Sequence, residues 1–168
     1  MLLENRLKTS QLLYRRNYMI NSNKQFYGTY DGKTIETRKF DMIVATDLHW
    51  GIGKDNQLLA KIPEDMKFFR EITKNSIVIM GRKTSESLPL GYLKNRINII
   101  ISRKPLKIPS EIQRKEHIYR AAEKDDALMI VEQIMRTNQN YDLQPNVYVI
   151  GGGAIYNEFI KHNLIQRV

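Results

Sequence analysis

Four short apolar runs rich in isoleucine and valine constrain the fold of this chain more than any other feature of its sequence. The runs are continuous rather than alternating, which is typical of strands covered on both faces. The predicted strands are Met42–Ala45, Ile77–Met80, Ile97–Ile101 and Val147–Ile150. Helical patterns lie between or after them, at Glu64–Thr73, Thr84–Leu88, Asp125–Met135 and Ala154–His162. This alternation predicts an α/β fold with a mainly parallel central sheet flanked by helices.

The basic charge of the chain is concentrated near its N-terminal end. Residues 1–40 carry eight Lys and Arg against three acids, whereas residues 41–168 carry nineteen against fifteen. Regular patterns begin only at Phe40. We therefore expect a basic extension at residues 1–39 and one domain at residues 40–168. The domain is only mildly basic and lacks the basic stripe with interleaved aromatics that nucleic-acid binding needs, so an anionic small molecule is the expected ligand.

Two interpretations of the extension stay open. Its acid-poor start contains arginines and approximates one apolar helical face, which is typical of an organellar transit peptide. The residues of that face are Leu3, Leu7, Tyr14 and Tyr18. The other interpretation is a solvated, partly disordered extension that ends in the turn Asp31–Lys33. The early Glu4 and the scarcity of small and hydroxyl residues favour the second interpretation, and we expect a cytoplasmic protein.

Composition excludes several kinds of site. The chain has no cysteine, which excludes disulfides, thiolate metal sites and cysteine nucleophiles. Its three histidines, His49, His117 and His162, lack the spacing of metal ligands. No apolar run approaches the roughly 18–20 residues that span a membrane. We therefore expect a metal-free mechanism and no membrane partner.

Three consecutive glycines, Gly151–Gly153, follow the last predicted strand and precede the last predicted helix. Residues without a Cβ allow a sharp turn and let a ligand approach the backbone. A helix N-terminus adds free N–H groups and the positive end of the helix dipole, which together favour an anion. The triplet indicates a phosphate-bearing ligand, and a plain tight turn stays open as the alternative.

Two further predicted strands end in cations and hydroxyls. The segment Gly81–Thr84 combines a glycine, an arginine, a lysine and a threonine at the start of a helix, and Ser102 and Arg103 follow the next strand. Such groups fit a phosphate held by charge-assisted hydrogen bonds. A solvated basic turn explains either segment alone. Because ligands of open α/β sheets bind beyond the carboxyl ends of strands, three such ends favour one shared site.

The predicted helix after Pro63 carries a candidate catalytic carboxylate. Proline suits the first helical position, and the acids Glu64 and Asp65 suit the dipole, which by itself explains both acids. Asp65 differs from Glu64 because it shares one helix side with Phe69 and Ile72, at spacings i, i+4 and i+7. A carboxylate beside an aromatic and an isoleucine tends to border a cleft.

A glycine-containing segment, Gly51–Lys54, follows the first predicted strand. Its glycines suit a mobile loop over a site, and a structural turn explains them equally well. Asn56 stands where the dinucleotide fingerprint G-x-G-x-x-G requires its third glycine, so that fingerprint is not met.

Taken in order, these motifs resemble the dihydrofolate reductase family. The order and spacing of the matching segments are far more specific than any one of them. The segments are Ile43–Ala45, Gly51–Lys54, Ile62–Phe69, Val78–Thr84, Arg96–Asn98, Ile101–Arg103 and Val149–Tyr156. The resemblance implies reduction of 7,8-dihydrofolate to 5,6,7,8-tetrahydrofolate by NADPH, with hydride passing to C6 of the pterin and a proton to N5. It also implies that antifolates bind.

The resemblance assigns roles to particular positions. Asp65 matches the acid of the pterin pocket, which binds N3 and the 2-amino group and promotes protonation of N5. The implied substrate-binding residues are Ile43, Val44, Asp65, Met66, Phe69, Leu88, Arg96, Ile150 and Tyr156. The implied cofactor-binding residues are Ala45, Ile52, Gly53, Gly81, Arg82, Lys83, Thr84, Ser102, Arg103, Gly151, Gly152, Gly153, Ala154, Ile155 and Tyr156. The bond between Gly151 and Gly152 matches a cis peptide of the family.

Three departures from the family pattern stand out. Leu59 and Ala60 stand where the family usually has proline and tryptophan, and Ser85 replaces another tryptophan. The sequence stops at Val168, where the family continues into further strands, so these C-terminal strands are expected to be missing. Without them, the strand at Met42–Ala45 is expected to be an unpaired edge.

Three functional hypotheses follow. The first is an active reductase, and the second is an inactive truncated remnant that keeps the nucleotide-binding loops. The third is a generic basic nucleotide- or RNA-binding domain. Because the motifs resemble protist and plant forms of the family, a thymidylate synthase domain outside this chain is an expected partner.

Overall fold

The computed structural model describes residues 18–20, 26–30, 33–37, 39–46, 51–53, 62–137 and 145–168. The chain divides into two compact units, Met1–Lys39 and Phe40–Val168. In the first unit, three strands form an antiparallel sheet: β1 (Tyr18–Ile20), β2 (Phe26–Tyr30) and β3 (Lys33–Thr37). No strand is predicted from the sequence of this unit. Tyr18 lies in a strand rather than on the helical face suggested for it, and the other residues of that face lie outside the described residues.

The second unit is built on a six-stranded sheet in which all neighbouring strands are parallel, in the spatial order β7-β6-β5-β8-β4-β9. The strands are β4 (Phe40–Met42), β5 (Ile77–Gly81), β6 (Ile97–Ile101), β7 (Ile118–Ala121), β8 (Val147–Gly151) and β9 (Ile165–Arg167). The helices are α1 (Pro63–Ile72), α2 (Arg82–Ser87), α3 (Ser110–Lys115), α4 (Lys124–Thr137) and α5 (Gly153–Lys161). The predicted α/β fold with a mainly parallel sheet is confirmed.

Hydrophobic cores on both faces of the sheet explain the continuous apolar runs. All five residues of β5 are buried. Ile77 and Ile79 belong to one core, whereas Val78 and Met80 belong to the other, because successive side chains of a strand point to opposite faces. Helix α4 contributes an apolar stripe to the first core. The buried residues of that stripe are Ala127, Leu128, Val131, Ile134 and Met135.

The predicted elements are present, with ends that mostly differ by one or two residues. The first strand differs most, because it was predicted at Met42–Ala45 and is observed at Phe40–Met42. Its pairing with β8 nevertheless continues one residue further, where the N–H of Ile43 donates to the carbonyl of Val149 at 3.1 Å. Within the described residues, no helix is long and apolar enough to cross a membrane.

Two expectations about the rest of the domain are wrong. The two prolines and many charges of Lys104–Glu116 predict an exposed loop, but this segment contains the short helix α3, and β7 follows it. The first strand of the domain, β4, is not an unpaired edge, because it lies between β8 and β9. The N–H of Phe40 donates to the carbonyl of Leu164 at 2.8 Å, just before β9 begins. Leu164 packs in the core and brings β9 alongside β4.

Candidate functional site

The carboxyl ends of β5, β6 and β8 meet at one edge of the sheet, because these strands are parallel neighbours. Strand β5 leads directly into α2 with Gly81 as the N-cap, and β8 leads into α5 with Gly152 as the N-cap. Ser102 follows β6. The structure therefore brings together the three strand ends that the sequence analysis singled out, at the edge where open α/β sheets bind ligands.

The two glycine-containing junctions pack on each other. A Cβ added at Gly152 would lie 3.2 Å from Oγ1 of Thr84, and one added at Gly81 would lie 3.0 Å from Cγ1 of Ile155. Gly151 has a φ of +126°, in the region that favours glycine, and the bond between Gly151 and Gly152 is cis, as the family resemblance implied. At this edge the glycines therefore leave the backbone without side chains, and the two junctions pack closely on each other.

The cations of α2 differ in their surroundings. Arg82 forms an ion pair with Glu86, with 2.6 Å between Nη1 and Oε2, and Lys107 approaches the same carboxylate at 3.4 Å. The hydrogen bond from Arg82 lowers the pKa of Glu86, and Lys107 lowers it further. Lys83 is exposed and has no ion pair with any described residue. Lys83 is therefore the cation of this junction that is free to meet an anion.

Ser102 holds a turn rather than presenting its hydroxyl. The side chain is buried, and its hydroxyl donates to the carbonyl of Lys104 at 2.7 Å and accepts from the N–H of Lys104 at 3.2 Å. Arg103 is exposed beside it. Nη1 of Arg120 donates to the carbonyl of Ser102 at 3.1 Å, a contact that was not predicted from the sequence. This bond fixes the backbone that presents Arg103.

Tyr156 links α5 to the end of β4. Its hydroxyl donates to the carbonyl of Ile43 at 2.7 Å, and burial raises the pKa of the phenol well above its ordinary value. A Cβ added at Gly151 would lie 3.3 Å from the same hydroxyl. The neighbouring Val44 is half-buried and packs against the core, whereas Ala45 is exposed. The phenol therefore stays protonated and holds the backbone at Ile43 against the glycine turn.

Ile52 and Gly53 lie on the segment after β4, and this segment reaches the glycine turn. A Cβ added at Gly153 would lie 3.4 Å from Cδ1 of Ile52, and Ile52 also packs against the core. Gly53 is exposed. The glycine-containing segment, predicted as either a mobile loop or a structural turn, therefore borders the candidate site.

Helix α1 presents the candidate catalytic carboxylate to solvent. Asp65 is exposed, and its carboxylate has no hydrogen bond or ion pair in the part of the chain that the structure describes. Phe69, on the same side of the helix, is half-buried, whereas Met66 is 44% exposed and Phe68 is 60% exposed. Helix α1 buries none of its residues. Its polar and aromatic side chains are therefore accessible to a ligand.

Arg96 ties the end of α1 to the start of β6. Its Nε and Nη2 donate to Oγ1 of Thr73 at 3.1 and 3.0 Å, Nη2 also donates to the carbonyl of Arg70 at 2.7 Å, and Nη1 donates to the carbonyl of Lys94 at 2.7 Å. Burial lowers the pKa of Arg96, and the positive charge of Arg70 lowers it further. One N–H of Nη1 has no acceptor among the described residues, so Arg96 can donate to an anion.

Two of the implied substrate-binding residues, Leu88 and Ile150, lie on the second face of the sheet. Both are half-buried and pack against the core that contains Val78 and Met80. The departures at Leu59 and Ala60 lie outside the described residues. Ser85, the third departure, is buried, and its hydroxyl donates to the carbonyl of Gly91 at 2.6 Å.

The structural role of Asn98, a buried polar residue beside the site, was not predicted from the sequence. Oδ1 of Asn98 accepts from the N–H of Leu93 at 2.9 Å, and Nδ2 donates to the carbonyls of Leu93 and Arg96 at 2.9 and 3.1 Å. Asn98 is fully buried and fixes the segment that carries Arg96. The signal for it was present, because an amide inside the isoleucine run Ile97–Ile101 needs partners. Among the described residues, no group of His, Cys, Asp and Glu could hold a metal ion.

Comparison with known proteins identifies the family. A family model described as dihydrofolate reductase matches residues 39–166. The chain belongs to the dihydrofolate reductase family. The match covers β4 to β8, the first two residues of β9 and every candidate site residue named above.

The similar proteins include fused and single-function enzymes. The chain is 35% identical to a bifunctional dihydrofolate reductase-thymidylate synthase of Glycine max over 133 residues, which are 74% of this chain and 24% of that protein. It is 39% identical to the Paramecium tetraurelia protein of the same description over 121 residues, 72% of this chain and 23% of that protein. A dihydrofolate reductase of Pneumocystis carinii is 28% identical over 145 residues, 79% of this chain and 68% of that protein. The chain thus spans about a quarter of the length of these bifunctional dihydrofolate reductase-thymidylate synthases.

Proposed function

We propose that the chain reduces 7,8-dihydrofolate to 5,6,7,8-tetrahydrofolate with NADPH. The main supporting observation is that the two glycine-containing strand-to-helix turns, at the carboxyl ends of β5 and β8, pack on each other. A Cβ added at Gly152 would lie 3.2 Å from Oγ1 of Thr84. Family membership supports the same chemistry, since the relatives named above are reductases by description.

The residues at this edge fit a dinucleotide that carries phosphates. The first N–H groups of α2 and α5 have no acceptor within their helices, and the dipoles add positive potential there. Lys83 adds a free cation, and Arg103, held by the Ser102 turn, suits the 2′-phosphate that distinguishes NADPH. When bound, NADPH supplies the hydride that reduces C6 of the pterin.

The remaining candidate residues fit the folate. Both carboxylate oxygens of Asp65 are without partners among the described residues, so Asp65 can hold N3 and the 2-amino group and favour protonation of N5. Tyr156 occupies one lone pair of the Ile43 carbonyl, which leaves the other for the pterin. The carbonyl of Ile150 is assigned to the pterin as well. Phe69 packs on the aminobenzoyl ring, and the available N–H of Arg96 donates to the carboxylate of the glutamate tail.

A second candidate function is a non-catalytic module that keeps the nucleotide-binding edge. The exposed position of Asp65 on a helix with no buried residue favours this alternative. A thymidylate synthase domain is proposed as a partner in either case, because the bifunctional relatives carry both activities by description.

NADPH oxidation in the presence of dihydrofolate separates the two candidates. The Asp65→Asn variant is compared with Glu64→Gln, which changes a neighbouring exposed carboxylate in the same helical turn. We expect Asp65→Asn to lower kcat/KM by about 100-fold or more, as the loss of a group that assists proton transfer does, while Glu64→Gln and wild type agree within about twofold at a surface position. Stabilisation of the chain by NADPH without any turnover supports the non-catalytic module instead.

A further inference from the structure

Strand β4 carries a buried carboxylate two residues before the proposed pterin contact. Asp41 is only 8% exposed, and its neighbours Phe40 and Met42 belong to the first core. Because successive side chains of a strand point to opposite faces, Asp41 lies on the other face, which it shares with Ile43. A charged group that is withheld from water is stable only when it is paired and hydrogen-bonded. The partners of Asp41 therefore bear on the position of Ile43.

Both oxygens of this carboxylate are held by β9. Nε of Arg167 donates to Oδ1 of Asp41 at 3.2 Å, and Nη2 of Arg167 donates to Oδ2. Nε2 of Gln166 also donates to Oδ1 at 3.2 Å. The hydrogen bond to Asp41 raises the pKa of Arg167, so the guanidinium stays charged. Two N–H···O bonds between planar groups fix the direction of a contact as well as its length.

The backbone pairing between β9 and β4 is short and irregular. Phe40 lies opposite Ile165 and Asp41 lies opposite Arg167, with a shift of register between the two pairs. Strand β9 has three residues and lies at the edge of the sheet, with no described strand on its other side. So short an edge strand has few backbone hydrogen bonds. The contacts of the Asp41 side chain therefore contribute a large part of what holds β9 against β4.

Strand β4 also has only three residues and depends on both of its neighbours. On one side, the N–H of Ile43 donates to the carbonyl of Val149 at 3.1 Å, and the carbonyl of Ile43 accepts from Tyr156 at 2.7 Å. On the other side, the contacts between Asp41 and Arg167 join β4 to β9. Loss of these contacts leaves the end of β4 held from one side, which allows the Ile43 carbonyl to shift.

We propose that Asp41 and Arg167 are a positioning pair for the folate, which keeps the Ile43 carbonyl in place for the pterin. The inference rests on the proposed function, in which Ile43 is a pterin contact. Neither side chain of the pair is assigned to the substrate, so both act through the backbone of β4. The phosphate-binding ends of β5 and β6 lie two and three strands away from β4 in the sheet. The pair is therefore expected to affect folate binding more than NADPH binding.

Dissociation constants of dihydrofolate and of NADPH, measured by calorimetry on one preparation of each variant, test this proposal. We expect Arg167→Gln to weaken dihydrofolate binding about fivefold to tenfold, the size of one lost hydrogen bond, and NADPH binding by less than about twofold. A general loss of folding weakens both ligands by the same factor, so the ratio of the two constants isolates positioning. Arg167→Lys keeps the charge without the planar fork and should lie between wild type and Arg167→Gln.

Two carboxylate variants complete the comparison. Asp41→Asn is expected to change the ratio in the same direction as Arg167→Gln. Asp126→Ala is the matched control, because Oδ2 of Asp126 accepts from the backbone N–H of Ala122 at 2.9 Å on an element with no proposed folate contact. It should leave the ratio unchanged. A ratio that stays constant in Arg167→Gln, or that changes equally in Asp126→Ala, overturns the proposal. If wild type binds no dihydrofolate, the proposed function itself has failed.

Discussion

The hydroxyl of Tyr156 donates a hydrogen bond of 2.7 Å to the carbonyl oxygen of Ile43, 113 residues earlier in the chain. The bond joins the first strand of the domain to the helix that follows the glycine turn. Ile43 is a proposed pterin contact, and Tyr156 borders Gly151 of the proposed cofactor site. One buried hydroxyl therefore positions parts of both sites.

Replacing Tyr156 by phenylalanine tests this link. Tyr156→Phe leaves the half-buried Ile43 carbonyl without its donor, and we expect the free energy of unfolding to fall by about 1 kcal/mol. The pterin contact at Ile43 also loses its orientation, so KM for dihydrofolate is expected to rise. Urea unfolding and steady-state kinetics measure the two effects. Tyr119→Phe, at an exposed tyrosine with no hydrogen bond to a described residue, is the control and should change neither quantity.

Removal of the Asn98 side chain should destabilise the domain and weaken folate binding together. Asn98→Ala leaves the N–H and carbonyl of Leu93 and the carbonyl of Arg96 without their partner. These three groups are only part-buried, so each loss lies at or below the lower end of the about 1–3 kcal/mol that a buried polar group without a partner costs, and we expect the free energy of unfolding to fall by about 2–3 kcal/mol in all. Urea unfolding checks this value. An equally stable Asn98→Ala variant would mean that this segment rearranges to satisfy its own polar groups.

The ion pair between Arg82 and Glu86 should give a measurable pH dependence. The hydrogen bond from Arg82 holds the pKa of Glu86 below its ordinary value. A carboxylate with a lowered pKa in the folded state stabilises the fold above its unfolded pKa, and that stabilisation is lost as the pH falls through the folded pKa. Carboxyl NMR should therefore place the titration of Glu86 at lower pH in the folded chain than in urea. Arg82→Gln should move the folded titration upward, while Arg114→Gln, at an exposed arginine elsewhere, should leave it in place.

The sequence predicted the parts of the fold that depend on burial. Runs such as Ile97–Ile101 are covered on both faces, so their strand character is visible in composition alone. The three-residue strand β9 was missed because so short an element carries no period of its own, and it forms only where Leu164 packs beside β4. The glycine junctions were predicted from residue type, since Gly152 and Thr84 each mark a strand-to-helix turn. Their mutual contact was not predictable, because it depends on β5 and β8 being neighbours in space.

The contact between Gly152 and Thr84 allows a substitution test with a matched neighbour. An alanine at position 152 would place its Cβ 3.2 Å from Oγ1 of Thr84, whereas an alanine at position 153 would place its Cβ 3.4 Å from Cδ1 of Ile52, an ordinary contact with a flexible side-chain end. We expect Gly152→Ala to destabilise the domain by about 1–3 kcal/mol through overpacking, and Gly153→Ala to cost clearly less. The double variant Gly152→Ala with Thr84→Ala removes the crowding atom and should recover part of the loss. Urea unfolding of the four proteins measures these differences. If Gly152→Ala and Gly153→Ala cost the same and Thr84→Ala recovers nothing, then the two junctions do not press on each other.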